Sequence, residues 1–159
     1  MNKNYQLFVD FLEPVLKTWG GENEKERALL GIFEETGELI GKFKKQLRGD
    51  KVSDLDIKKE IGDLLYYLRI FAELEKIEIV DHNVNYSKFS KDFFLKRFSL
   101  DYFYLFTDDK KTPFNSILSL TFELISLLKY DLSEILEINQ KKLSDRKKRN
   151  VIKGNGDNR

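Results

Sequence analysis

Cysteine is absent from this chain of 159 residues, and histidine occurs once, at His82. Without cysteine the chain forms no disulfide bond and no thiolate metal site. A single histidine argues against a metal site built from several histidines and against a Ser-His-Asp triad. Two common classes of catalytic site are therefore disfavoured from composition alone.

Long apolar runs are also missing. No apolar stretch approaches the roughly 18 residues of a membrane span, and Asp10 and Glu13 interrupt any signal peptide near the start. The formal net charge of +1 gives no bulk attraction to nucleic acid or to a membrane. We therefore expect a cytoplasmic protein with no membrane partner and no nucleic-acid partner, although residues 141–159 carry eight Lys/Arg against two Asp.

The spacing of apolar residues predicts an all-α fold. Apolar residues recur at three- and four-residue steps along most of the chain, and no strand pattern of substance is present. Helices are predicted over residues 5–19 with a break at Pro14, 24–47, 54–78, 87–98, 114–130 and 133–147. We expect residues 1–147 to form a single multi-helix domain. The helix over 54–78 is apolar almost all round beyond Ile61, as a central bundle helix would be. Residues 148–159 would be a basic tail, mobile unless it makes a contact.

The second predicted helix carries a group of acidic residues. Asn23 is predicted to cap it, with Glu26 at the third helical position. Its inward stripe is predicted to be apolar and to consist of Ala28, Leu29, Ile32, Leu39, Phe43 and Leu47. At about 100° per residue, Glu35 projects inside that stripe, Glu38 lies on its shoulder and Glu34 lies further round. Since burying an unpaired carboxylate costs several kcal/mol, Glu35 is expected to need a cation.

A second acidic pair, Glu60 and Asp63, lies on the next predicted helix. The two residues are three apart, so they are neighbours on the helix surface. Two helices packed roughly 8–10 Å apart can present such pairs to one shared ion. Mg²⁺ takes oxygen ligands, whereas di-iron bundles require Glu-x-x-His pairs that are absent here. Glu35 and Glu38 with Glu60 and Asp63 are therefore predicted to bind Mg²⁺, or Mn²⁺ in its place.

Three motifs occur in order along the chain. Residues 34–38 have the pattern Glu-Glu-x-x-Glu, residues 60–63 have Glu-x-x-Asp, and residues 139–146 have Asn-x-x-Lys-Leu-x-x-Arg. Together they resemble the motifs of the MazG-like, all-α nucleoside triphosphate pyrophosphohydrolases. The similarity covers roughly residues 28–69 and 128–146. The residues between, about 72–127, look like an inserted helical segment, which is rich in aromatic residues over 86–106.

The resemblance implies Mg²⁺-dependent hydrolysis of a nucleoside triphosphate between its α and β phosphates, which releases a nucleoside monophosphate and pyrophosphate. The four carboxylates named above would hold the metal, which would neutralise phosphate charge and acidify a bound water. Glu34, and Glu35 as a second catalytic candidate, would orient or deprotonate that water. A homodimer or a dimer of dimers is the assembly that the resemblance implies.

Four residues outside the acidic motifs are candidates to bind the substrate. Lys142 and Arg146 would meet the phosphates, and Asn139 would hydrogen-bond the sugar or a phosphate. Trp19 is a candidate to stack on the base, with packing in the core as the alternative.

Other interpretations stay open at this point. The acidic cluster would also suit a solvated helix face paired with Lys42 at helical spacing. The cations of the last helix would also suit its C-terminal end. A non-catalytic helical binding or scaffold protein is the second function considered, and a nucleic-acid-binding module that uses the basic C-terminus is the third.

Overall fold

The computed structural model describes residues 3–11, 19–80 and 90–149. All regular structure in these residues is helical. The helices are α1 Lys3–Asp10, α2 Glu24–Leu47, α3 Asp54–Glu75, α4 Lys91–Tyr104, α5 Lys111–Leu127 and α6 Leu132–Lys148. The predicted all-α fold is confirmed. Among the described helices, each is too short or too polar to cross a bilayer.

Helix α3 lies at the centre of the bundle. It packs against α2, α6, α5 and α1. Its buried residues extend right around the helix, from Ile57 to Ala72. A helix that is apolar almost all round needs neighbours on every side, which is what the sequence of α3 predicted. One of these neighbours, α5, belongs to the segment predicted as an insertion.

The predicted insertion contributes to the same core. The rings of Phe71 on α3 and Phe114 on α5 stack with centroids 6.4 Å apart. Asn115, fully buried on α5, accepts a hydrogen bond from the Val80 backbone N–H at 3.0 Å and donates one to the Glu78 carbonyl at 3.1 Å. Helix α4 packs on α5. The chain that leaves α3 is thus fixed to α5, which packs against both α3 and α4.

Side chains cap the N-termini of α3 and α6. The Ser53 hydroxyl accepts from the Asp56 N–H at 3.1 Å, and the Asp131 carboxylate accepts from the Ser133 N–H at 2.8 Å, so both residues cap their helices. The predicted side-chain cap at Asn23 is wrong. Asn23 has φ 56° and its side chain makes no capping bond, because capping requires an extended backbone at that position.

Several predicted boundaries need correction. Leu47, predicted to face inward, is 89% exposed, because the buried stripe of α2 ends one turn earlier at Phe43. Helix α3 ends at Glu75 rather than near residue 78, because the next residue, Lys76, adopts a left-handed conformation. Helix α4 continues to Tyr104 instead of breaking near residue 98.

Some predicted features lie outside the described residues. These are Pro14 with the second part of the first predicted helix, His82, the start of the fourth predicted helix before residue 90, and the tail from residue 150 onward.

Candidate functional site

Three carboxylates from two helices converge at the contact between α2 and α3. Glu35 and Glu38 on α2 and Glu60 on α3 each offer an oxygen, and these oxygens all lie within 4.8 Å of one another. Glu60 is buried, Glu35 is half-buried and Glu38 is exposed, so the group opens from the core to the surface. Oxygen donors at this spacing match the ligand preference of a hard divalent ion such as Mg²⁺ or Mn²⁺. Glu34 lies beside the group and is exposed.

Two glycines allow the helices to come this close. A Cβ on Gly31 would lie 2.3 Å from the ring of Tyr67, a distance that real side chains do not adopt. A Cβ on Gly62 would lie 3.2 Å from Cβ of Asn139 and 3.4 Å from the Ile135 carbonyl oxygen. Gly31 therefore lets α2 accept the Tyr67 ring, and Gly62 lets α6 approach α3 beside the acidic residues.

Asp63, the fourth predicted metal ligand, is directed towards α6. It is buried, and its Oδ1 accepts a hydrogen bond from Asn139 Nδ2 at 2.5 Å. Its other carboxylate oxygen pairs with the ammonium group of Lys142. Two of the residues predicted to bind substrate thus contact a predicted metal ligand. The third motif of the sequence therefore adjoins the acidic motifs in space.

The amide of Asn139 leaves one atom unsatisfied. Asn139 is 2% exposed, and its Oδ1 has no hydrogen-bond partner among the described residues. The amide orientation is fixed because the Asp63 carboxylate only accepts, so the NH₂ group must face it. A buried acceptor without a donor costs about 1–3 kcal/mol, which a ligand donor at this position would recover.

Burial and mutual repulsion alter the acid strength of the cluster. Burial, followed by the nearby charges of Asp63 and Glu38, raises the pKa of Glu35 to about 8, and the charge of Lys142 opposes this rise. Burial also raises the pKa of Asp63, again against the effect of Lys142. Without a cation, Glu35 therefore holds a proton at neutral pH. A divalent ion at this position would favour the ionised form.

Lys42 belongs to the site, although the sequence suggested it only as a surface partner. Its Nζ lies 2.8 Å from Glu60 Oε1, so the ion pair joins α2 to α3. The hydrogen bond to Glu60 is the main reason that the pKa of Lys42 is raised. Sequence reasoning missed this pairing because it considered neighbours within one helix rather than across two.

An aromatic group lies at one end of the site. The indole N–H of Trp19 donates to the Tyr66 hydroxyl at 2.6 Å, and the Trp19 ring meets Tyr67 edge-on at 6.2 Å. The guanidinium of Arg27 lies 4.9 Å from the centre of the Trp19 ring. Tyr66, Tyr67 and Arg27 were not predicted as site residues. The signal for the tyrosines was their position directly after the second acidic motif.

The last predicted substrate residue, Arg146, is buried. Its charge lowers the pKa of Asp63, against the larger effect of burial. Arg146 thus acts electrostatically on the same carboxylate that Asn139 and Lys142 contact.

A known family model matches part of the chain. Residues 23–88 match the model of the MazG nucleotide pyrophosphohydrolase domain. Comparisons with curated proteins and with solved structures gave no significant match. The matched segment includes all of α2 and α3 and both acidic motifs, whereas α6 lies outside it. The resemblance inferred from the sequence is confirmed over residues 23–88, which match the MazG nucleotide pyrophosphohydrolase domain.

Proposed function

We propose that this protein is a Mg²⁺-dependent nucleoside triphosphate pyrophosphohydrolase. It cleaves between the α and β phosphates and releases a nucleoside monophosphate and pyrophosphate. The observation that carries the proposal is the convergence of Glu35, Glu38 and Glu60 within the residues that match the MazG model. A nucleotide pyrophosphohydrolase domain with carboxylates gathered on two helices supports metal-assisted hydrolysis.

Glu35, Glu38 and Glu60 would hold the ion, with Asp63 as the fourth carboxylate beside them. The donor set is made of carboxylate oxygens, which fits Mg²⁺ or Mn²⁺ better than a soft metal. When bound, the ion supplies positive charge against the phosphate oxygens and makes water a stronger acid. The helices hold these carboxylates in place, since Glu60 is buried at the contact between α2 and α3.

Two carboxyl groups would handle the proton of the attacking water. Glu34 is exposed at the edge of the site and would orient this water and accept its proton as the anhydride bond breaks. Glu35 is the second candidate, because a bound ion would keep its carboxylate ionised and therefore able to accept a proton. The water oxygen joins one phosphorus, and the bridging oxygen leaves with the other.

The residues of α6 would bind the substrate next to Asp63. Lys142 and Arg146 supply positive charge for the phosphates, and the guanidinium can bind two phosphate oxygens at once. Oδ1 of Asn139 is an acceptor, so it would receive a hydrogen bond from a sugar hydroxyl and not from a phosphate oxygen. Trp19, which donates a hydrogen bond to Tyr66 three residues after Asp63 on α3, would border the base.

Large apolar side chains on α2 and α4 support self-association. Leu30 and Phe33 on α2 are about 60% exposed, as are Phe103 on α4 and Phe106 just after it. The Phe33 ring contacts Tyr102 at 4.9 Å, and Tyr102 contacts Phe106 at 5.4 Å, so this surface is continuous. We propose that Leu30, Phe33, Phe103 and Phe106 form the α2–α4 apolar surface of a homodimer or a dimer of dimers.

The activity is tested by incubating the protein with each natural and several modified (d)NTPs and by measuring pyrophosphate release with and without Mg²⁺. We expect release from at least one nucleotide with Mg²⁺ present and loss of release on chelation. Glu38→Gln and Asp63→Asn are expected to abolish the reaction. Equal activity in these variants, or no pyrophosphate from any nucleotide, would contradict the proposal and favour a binding or scaffold role.

A further inference from the structure

The ion pair of Lys42 with Glu60 is part of the acidic site. Lys42 follows Glu38 by four residues on α2, so its side chain leaves the same face of the helix. Its ammonium group lies 2.8 Å from the Glu60 carboxylate. Glu60 is one of the three residues whose oxygens lie within 4.8 Å of one another. A cation supplied by the chain itself is therefore already in contact with the metal-binding group.

Lys142 makes a similar ion pair with the last residue of the second motif. It pairs with Asp63, as Lys42 pairs with Glu60, and the two lysines come from different helices, α6 and α2. Glu60 is 3% exposed and Asp63 is 8% exposed, so neither carboxylate has enough water around it to remain charged without a partner. Each of the two acidic residues of the second motif thus has its own lysine.

A lysine in this position has opposite effects on folding and on metal binding. In the absence of metal, its charge offsets the repulsion among the carboxylates and satisfies a buried acceptor. When a divalent ion binds, the ammonium group and the ion carry like charge and compete for the same carboxylate. Binding of the ion and contact of the lysine with Glu60 therefore oppose each other, and this opposition is reciprocal.

We infer that Lys42 is an internal counter-cation of the site: it neutralises Glu60 in the metal-free protein and leaves Glu60 when the divalent ion binds. The inference rests on the proposed function, because it takes the acidic group as the metal site. Lys42 thus positions a proposed metal ligand and does not itself touch the substrate. It holds the Glu60 carboxylate at the contact of α2 with α3 until the ion replaces it.

The test removes the charge of Lys42 and measures two properties of the protein without substrate. Lys42→Gln keeps a hydrogen-bond donor and most of the length of the side chain, and Lys42→Met removes both charge and donor. We expect both variants to unfold at lower temperature than the wild type in the presence of a chelator. We also expect both to bind Mg²⁺ and Mn²⁺ about tenfold more tightly in calorimetric titration, because the competing charge is gone.

Lys110 provides a matched control. Its Nζ lies 2.9 Å from Glu75 Oε1, so it also joins two helical elements through a partly buried carboxylate. Glu75 follows Glu60 by 15 residues on α3, which corresponds to about 22 Å along the helix. That separation exceeds the screening length of about 8 Å at physiological salt. Lys110→Met should therefore lower the unfolding temperature without changing metal affinity.

The results separate this inference from the proposed function. A wild type that binds neither Mg²⁺ nor Mn²⁺ would overturn the proposed metal site and the inference together. A wild type that binds the ions, with Lys42 variants that bind them equally or less tightly, would overturn the inference alone. Lys42→Arg, which keeps the charge, is expected to keep the affinity of the wild type. Tighter binding in Lys42→Arg as well would contradict the role of charge.

Discussion

Asn139 on α6 donates a hydrogen bond to Asp63 on α3 at 2.5 Å, although 76 residues separate the two along the chain. Asp63 lies within the residues that match the MazG family, and Asn139 lies outside them. The contact therefore extends the site beyond the matched segment to α6. It also explains why Gly62 precedes Asp63, since a side chain there would meet Asn139 at 3.2 Å.

Removal of the Asn139 amide should impair activity more than folding. Asn139→Ala loses one buried hydrogen bond and also removes the unsatisfied Oδ1, so we expect a loss of about 1 kcal/mol in the free energy of unfolding. We expect kcat/KM for the best nucleotide to fall by at least about tenfold, since Asp63 loses a positioning contact. Urea unfolding and steady-state kinetics measure the two effects. Gln140→Ala, at an exposed neighbouring position, should change neither.

Removal of the charge of Glu38 should weaken metal binding without lowering the stability of the fold. Glu38 is exposed, whereas the other two carboxylates of the group are more buried. Glu38→Gln should therefore reduce Mg²⁺ affinity by at least about tenfold in calorimetric titration, with a change of less than about 0.5 kcal/mol in unfolding free energy. Unchanged Mg²⁺ affinity in this variant would place the ion elsewhere.

Substitution of two α2 glycines by alanine should change the free energy of unfolding in opposite directions. Gly31→Ala would place its Cβ 2.3 Å from the Tyr67 ring, so the ring must move and we expect a loss of about 2–3 kcal/mol. Gly41 has open space around the position of a Cβ, so Gly41→Ala should stabilise the helix by about 0.5–1 kcal/mol. Thermal and urea unfolding of the two variants provide the comparison. Equal effects would mean that the contact of Gly31 with Tyr67 is not close.

The sequence was sufficient to predict the parts of the fold that depend on periodicity. It predicted the bounds of α2 and the central position of α3, because a continuous apolar pattern fixes both. It did not predict the backbone at Asn23, because a residue suited to capping also tolerates a left-handed conformation. The predicted end of the fourth helix at residue 98 was wrong, because apolar residues on several sides of α4 obscure its period.

The sequence likewise predicted only part of the candidate site. The sequence predicted that Glu35 and Glu38, which share a helix face, converge with Glu60 and Asp63 of the next helix. Oxygens of the first three residues lie within 4.8 Å of one another, whereas Asp63 is hydrogen-bonded to Asn139 on α6. The partners of Glu60 and Asp63 were not predicted. These pairs form because the long side chains of Lys42 and Lys142 reach from one helix to another. Sequence spacing within one helix does not show which residue of another helix a side chain reaches.

The acidity of Glu35 leads to a prediction about pH. Its pKa is raised from 4.5 to about 8, so between these values the folded protein holds a proton that the unfolded chain has released. Stability then falls as pH rises through this window, because the folded state binds more protons than the unfolded state. In the presence of a chelator, we expect the free energy of unfolding to decrease from about pH 5 to about pH 8. Glu35→Gln should flatten this decrease, and a decrease of equal slope in that variant would assign it to another group.

The α2–α4 apolar surface provides the last prediction, which concerns assembly. Phe103 is 68% exposed on α4, so Phe103→Asp should cost the monomer little stability. If the surface joins two copies, a charge at position 103 leaves an unpaired carboxylate buried in the interface, which costs several kcal/mol. Sedimentation at micromolar concentration should therefore show a dimer or tetramer for the wild type and a smaller species for Phe103→Asp. Leu47→Asp is the control, because Leu47 is 89% exposed and lies outside this surface. A monomeric wild type, or an equal shift in both variants, would contradict the proposed interface.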